Sequence, residues 1–102
     1  MQQKILENLQ ILKSKLQQEG FIIDGVFGSH ARGEATPQSD IDILYHLDDA
    51  FYKNFSGFKS FKKLDEIKQN ISSTLGLKVD LAPKNNLSKT AQKYILSEVV
   101  YV

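Results

Sequence analysis

Apolar residues recur along this chain with two periods, and the switches between them mark out its elements. From Gln3 to Glu19, Ile5, Leu9, Leu12 and Leu16 fall three and four apart among lysines and glutamines. That spacing predicts an amphipathic helix, with Gly20 as its stop. Phe21 to Phe27 is aromatic and β-branched and predicts a strand ended by Gly28. Glu34 to Gln38 predicts a turn, because Pro37 lacks an N–H and restricts Thr36 before it. Ser39 to His46 alternates with period two and predicts a second strand, whereas Leu47 to Asn54 admits either a loop or a helix start at Asp48-Asp49. Phe58 to Leu75 predicts a long helix whose stripe is Phe58, Phe61, Leu64, Ile67, Ile71 and Leu75, closed by Gly76. Leu77 to Ala82 predicts a third strand stopped by Pro83. Asn86 can cap a last helix from about Leu87, with Leu87, Ala91, Ile95 and Glu98 or Val99 on one face. The order is α-β-(short α)-β-α-β-α. It predicts an α/β (α+β) fold: a small mixed sheet with helices mainly on one face.

The alternation of the strands sorts their chemistry. In the second strand Ile41, Ile43 and Tyr45 share one face, and Asp40, Asp42, Leu44 and His46 share the other. In the third, Val79 and Leu81 oppose Asp80. Each strand has an apolar face for the helices and an acid on the other face. Asp40 and Asp42 are two strand steps apart, about 6.5–7 Å, and a neighbouring strand lies about 4.8 Å away. If the third strand pairs beside the second, Asp80 reaches the same cluster. Three such carboxylates repel one another by roughly 2–3 kcal/mol per pair at about 6 Å and an effective dielectric near 20. Divalent cations remove that penalty, and oxygen-only ligands select Mg²⁺, with Mn²⁺ as a substitute. A solvated strand edge is the bland alternative for Asp40 and Asp42, and a simple strand end is the alternative for Asp80.

Gly28 and Ser29 follow the first strand. Glycine permits positive φ and close approach of a ligand, and Ser29 to Arg32 can form a turn whose N–H groups face an anion such as a triphosphate. An ordinary strand-to-helix turn with Ser29 as N-cap is the competing reading. Arg32 is the only arginine among the basic residues. It suits either bidentate phosphate recognition or an ion pair with Glu34 or an aspartate. Ser39 can orient Asp40, contact phosphate, or simply start the strand. His30 and His46 read as incidental, and Lys53, Lys59, Lys62, Lys63 and Lys68 as a solvated helix face.

Composition narrows the function classes. At 102 residues, 41% hydrophobic and 25% charged, the chain reads as one globular domain, residues 1–102. A net charge of +1 gives no general attraction to nucleic acid or a membrane surface. The absence of cysteine excludes disulfides and thiolate metal sites. No apolar run approaches the length of a membrane span and no secretory segment is present, so the expected location is the cytoplasm.

With these residues in view, Gly28-Ser29, ten residues, then Asp40-Ile41-Asp42 resembles the signature of the DNA polymerase β nucleotidyltransferase superfamily. The fuller run from Gly28 through Ala31-Arg32-Gly33 to Ser39-Asp40-Ile41-Asp42 resembles its minimal nucleotidyltransferases, antitoxin partners of HEPN toxins in toxin–antitoxin modules. Val79-Asp80-Leu81 is similar to the family's third-carboxylate strand, and Ile95 to Val102 to its C-terminal Ile-x-x-Glu-x-Val-Tyr pattern. The resemblance implies that Asp40, Asp42 and Asp80 hold two Mg²⁺ ions, with Asp80 the candidate to take the acceptor's proton, and that Gly28 and Ser29 hold the β- and γ-phosphates. It implies transfer of AMP from ATP to a hydroxyl, a tyrosine of a HEPN toxin, in a module like those of type VII.

Little chain follows the acids, so a partner is expected to supply the acceptor. The apolar tail Val99-Val100-Tyr101-Val102 is either core packing or the partner contact. The alternative function is an antitoxin that neutralises by binding, with weak or no catalysis. Transfer to RNA or to a small molecule such as an aminoglycoside is disfavoured by the near-neutral charge. An oligomer is compatible with everything above.

Overall fold

Two long helices and one short one bury their apolar stripes on a single face of a four-stranded sheet. The computed structural model describes residues 1–102. The elements are α1 (Gln3–Gln17), β1 (Phe21–Phe27), α2 (Ser29–Arg32), β2 (Ile41–Leu47), α3 (Asp49–Asn54), α4 (Phe58–Leu75), β3 (Val79–Pro83), a 3₁₀ turn (Lys84–Asn86), α5 (Lys89–Glu98) and β4 (Val100–Tyr101). Strand order is β3-β2-β1-β4, with β2 and β3 parallel and the other neighbours antiparallel. No helix is long and apolar enough to cross a membrane.

The core follows from the two periods of the sequence. Leu9, Leu12 and Leu16 of α1, Phe51 of α3, and Ile67 and Ile71 of α4 pack against Phe21, Ile23, Val26, Ile41, Ile43, Tyr45 and Val79. Each of the larger side chains contributes about 1.5–3 kcal/mol on full burial. Phe21 and Tyr45 stack across β1 and β2 with ring centroids 4.7 Å apart.

β1 departs from simple alternation. Ile23 pairs with Tyr45, Gly25 with Leu44 and Val26 with Ile43, so Asp24 and Gly25 together oppose Leu44 in a bulge. The extra residue lets Ile23 and Val26, three apart, both reach the core. Asp24, next to the core-facing Ile23, points to the acid face by ordinary alternation, and its carboxylate meets His46 Nδ1 at 2.8 Å there. Gly25 is required where β4 crosses β1. A Cβ there would lie 2.6 Å from the Val100 carbonyl oxygen and 2.7 Å from Val99 Cγ2.

Several boundaries differ from the sequence reading. Phe58 and Phe61 are 92% and 71% exposed, so the buried stripe of α4 starts only at Leu64. The first turn of α4 lies beyond the edge of the sheet's core, and helical spacing alone does not reveal where a partner surface stops. Residues 49–54 form a helix, because Asp48 accepts hydrogen bonds from the Ala50 and Phe51 N–H groups. The cap of α5 is Ser88 rather than Asn86: its Oγ accepts from Ala91 N–H at 3.1 Å, and Asn86 belongs to the 3₁₀ turn. The C-terminal tail forms β4, a two-residue edge strand whose Val100 and Tyr101 are exposed.

Candidate functional site

The acids meet at the ends of β2 and β3. The parallel register sets Asp42 directly beside Asp80, and Ile41 N–H donates to the Lys78 carbonyl at 2.9 Å. Neighbouring strands stand about 4.8 Å apart. Asp40 lies immediately before β2, one turn of pleat from Asp42. Asp40 and Asp42 are half-buried and Asp80 is exposed. On the other side, Phe27 pairs with Asp42, and this delivers Gly28 and α2 to the same place.

Electrostatics mark Asp42 as the stressed member. Burial pushes its carboxyl above the usual carboxylate range, and the charges of Asp80 and then Asp40 push it further; His30 and Arg32 act in the opposite sense. None of the three carboxylates is paired with a protein cation or accepts a protein hydrogen bond. Their donors are oxygens only, which fits a hard divalent cation such as Mg²⁺. No three Asp, Glu or His side chains enclose an ion unaided. A Mg²⁺ ion bound there would need substrate phosphates or water to complete its shell.

The turn between β1 and α2 is fixed by Gly28, at φ 76° and ψ −154°. This region belongs essentially to glycine. A Cβ on Gly28 would also collide with the Asp42 carboxylate. Gly28 N–H donates to Glu98 Oε1 at 3.0 Å, and Arg32 Nη1 donates to Glu98 Oε2 at 3.0 Å. Arg32 Nε reaches Glu34 Oε2 at 3.2 Å. The hydrogen bonds that Arg32 donates to Glu98 and then to Glu34 raise its pKa above the ordinary value. Arg32 thus engages carboxylates, the ion-pair alternative, with a second partner in Glu98.

Ser39 Oγ accepts from Thr36 N–H at 2.8 Å and closes the 36–39 turn. Ser39 and Asp40 also line a depression of about 320 Å³ with Pro37, Gly76 and Lys78. A cleft of about 580 Å³ between α1, α2 and the following turn is lined by none of the three acids. His30 is buried and its Nε2 has no hydrogen-bond partner. Glu98 is the residue to which sequence reasoning gave no role. Its signal was its place as the Glu of the Ile-x-x-Glu-x-Val-Tyr pattern, and its partners lie 70 and 66 residues away.

Known proteins share this architecture. A solved structure described as a candidate minimal nucleotidyltransferase superposes with a TM-score of 0.73 at 24% identity, covering 100% of this chain and 97% of that one. A crystal structure of a toxin–antitoxin with AMP-PNP gives 0.67 at 21% identity, covering 93% and 69%. Both likenesses are of fold. In sequence, Protein adenylyltransferase MntA of Thermococcus cleftensis is 42% identical over 78 residues, 76% of this chain and 71% of its own. The Methanocaldococcus jannaschii protein MJ1379, named as a candidate protein adenylyltransferase, is 37% identical over 93 residues, 90% and 84% of the two chains. The profile of the nucleotidyltransferase domain matches residues 7–102. Matched over almost its whole length by that profile, and by relatives at 37–42% identity over three-quarters of it or more, this chain belongs to the nucleotidyltransferase domain family.

Proposed function

We propose that this protein is a Mg²⁺-dependent protein adenylyltransferase that silences a HEPN toxin by transferring AMP from ATP to a tyrosine hydroxyl. The observation that carries the reading is the register of Asp42 beside Asp80, with Gly28 packed against Asp42 from the other side. Relatives named as protein adenylyltransferases support the choice of reaction, and the fold shared with a toxin–antitoxin structure supports the choice of partner.

Asp40, Asp42 and Asp80 would hold the metal. Bound Mg²⁺ offsets the charge of the triphosphate and lowers the pKa of an attacking hydroxyl. The Gly28–Ser29 turn would receive the β- and γ-phosphates. Asp80 is the most exposed of the three acids; an acceptor can reach it, and it would be the base for the acceptor's proton. The acceptor oxygen bonds to the α-phosphorus, the bond from that phosphorus to the bridging oxygen breaks, and pyrophosphate leaves with the electron pair.

The test is to incubate protein, HEPN partner, Mg²⁺ and ATP labelled at the α-phosphate. Label is expected on the partner and not on RNA. It should disappear with Asp42→Ala and with phenylalanine in place of the acceptor tyrosine. Neutralisation of the toxin that survives Asp40→Ala combined with Asp42→Ala would instead support an antitoxin that acts by binding.

A further inference from the structure

α5 lies on the surface of the protein. None of its residues is buried, and the strand that follows pairs with only two residues of β1. Glu98, the last residue of α5, ties the end of the helix to the turn between β1 and α2. Its two carboxylate oxygens are divided between Gly28 N–H and Arg32 Nη1, each at 3.0 Å. Its side chain is 28% exposed, so these bonds are partly shielded from water. Gly28 in turn packs on the Asp42 carboxylate. A continuous line of contact therefore runs from the end of α5 through the turn to the acid.

The arrangement decides which groups of the turn are free. A backbone N–H has one proton to donate. That of Gly28 is committed to Glu98, whereas the N–H and hydroxyl of Ser29 make no hydrogen bond as donors to a protein group. The unusual ψ of Gly28 needs a fixed point on its amide, because the glycine itself favours no single conformation. A carboxylate that also grips Arg32, four residues along, supplies one.

We propose that Glu98 is the positioning residue of the Gly28–Ser29 turn: it holds the Gly28 peptide so that Ser29, and not Gly28, presents the donors to the triphosphate. This rests on the reading of that turn as the triphosphate site. In this role Gly28 contributes its missing side chain and its backbone angle, and its amide is structural.

Two variants of the full chain separate positioning from simple stapling of α5. Glu98→Gln keeps an oxygen for Gly28 N–H and gives up the charge opposite Arg32; Glu98→Ala gives up both. With the HEPN partner, ATP and Mg²⁺, Glu98→Ala is expected to raise KM for ATP about tenfold, the factor supplied by one charge-assisted hydrogen bond, with a smaller fall in kcat. Glu98→Gln should restore KM to within about threefold of wild type. A fall in melting temperature with KM unchanged would reduce Glu98 to a staple and overturn the proposal. Tighter ATP binding by Glu98→Ala would also overturn it, because the carboxylate would then be a competitor of the phosphate. Without nucleotide, the Gly28 amide in a ¹⁵N-labelled sample should be protected from exchange in wild type and Glu98→Gln, and unprotected in Glu98→Ala. That measurement needs no activity. A wild-type protein that binds no ATP therefore counts against the site, while an unprotected wild-type Gly28 amide counts against Glu98.

Discussion

Gly28 leans on the carboxylate of Asp42 so closely that a methyl group on its Cα would collide with Oδ2. Its backbone angles, φ 76° and ψ −154°, are ones that other residues adopt at a cost of about 1–3 kcal/mol. Gly28→Ala is therefore expected to lower stability by about 1–3 kcal/mol in urea titrations and to abolish transfer, because Asp42 must turn aside. Adding Asp42→Ala should return part of the stability, by removing the collision, and none of the activity.

Loss of the acids should separate chemistry from folding. Asp42→Ala and Asp80→Ala each remove a carboxylate that no protein cation neutralises. Metal-assisted charge stabilisation is worth several kcal/mol, so a fall of about 10³-fold or more in kcat is expected for Asp42→Ala. Both variants should still melt cooperatively, as followed by circular dichroism.

Asp42 also sets a pH dependence. Its carboxyl binds a proton more tightly in the folded protein than in the unfolded chain, through burial and the charges of Asp80 and Asp40. Above the raised folded value both states are ionised and the repulsion acts in full; below the unfolded value, about 3.9, both are protonated and it vanishes. In EDTA at pH 7, Asp42→Asn is accordingly expected to melt at a higher temperature than wild type. The difference should shrink as pH falls through the raised value of Asp42 and be gone below about pH 4. Millimolar Mg²⁺ at pH 7 should stabilise the wild type and leave Asp42→Asn nearly unchanged. Equal Mg²⁺ stabilisation of both proteins would mean that Asp42 is not a ligand.

The two ends of α4 should respond oppositely to truncation. Ile71 is fully buried and Phe58 is 92% exposed. Ile71→Ala is expected to cost about 2–5 kcal/mol in denaturant unfolding. Phe58→Ser should change stability by no more than about 0.5 kcal/mol.

The parts of this molecule that were legible in its sequence are those fixed by short-range repetition. Alternation in β2 separated Ile41, Ile43 and Tyr45 from Asp42, and the same rule in β3 brought out Asp80, which the parallel register then set beside Asp42. Three- and four-residue spacing found α1 and the buried half of α4. What escaped depends on contacts distant in sequence. Phe58 and Phe61 keep helical spacing beyond the point where the sheet can cover them. Val100 and Tyr101 form a strand only because Gly25 leaves room for the crossing. Glu98 meets Gly28 across 70 residues, and no local pattern signals that. His46 read as incidental, and its partner Asp24 lies 22 residues away on the neighbouring strand.

The bulge at Asp24 and Gly25 makes register, rather than residue chemistry, a specification of this protein. Threading both residues into the ladder one against one would alter neither composition nor mean hydropathy. Yet it would set Val26 opposite Asp42, out of the core, and move Phe27 to the opposite side of the sheet from Asp42. The bulge thus acts as a half-step in a ruler: it fixes on which side of the sheet the chain arrives when it reaches the glycine.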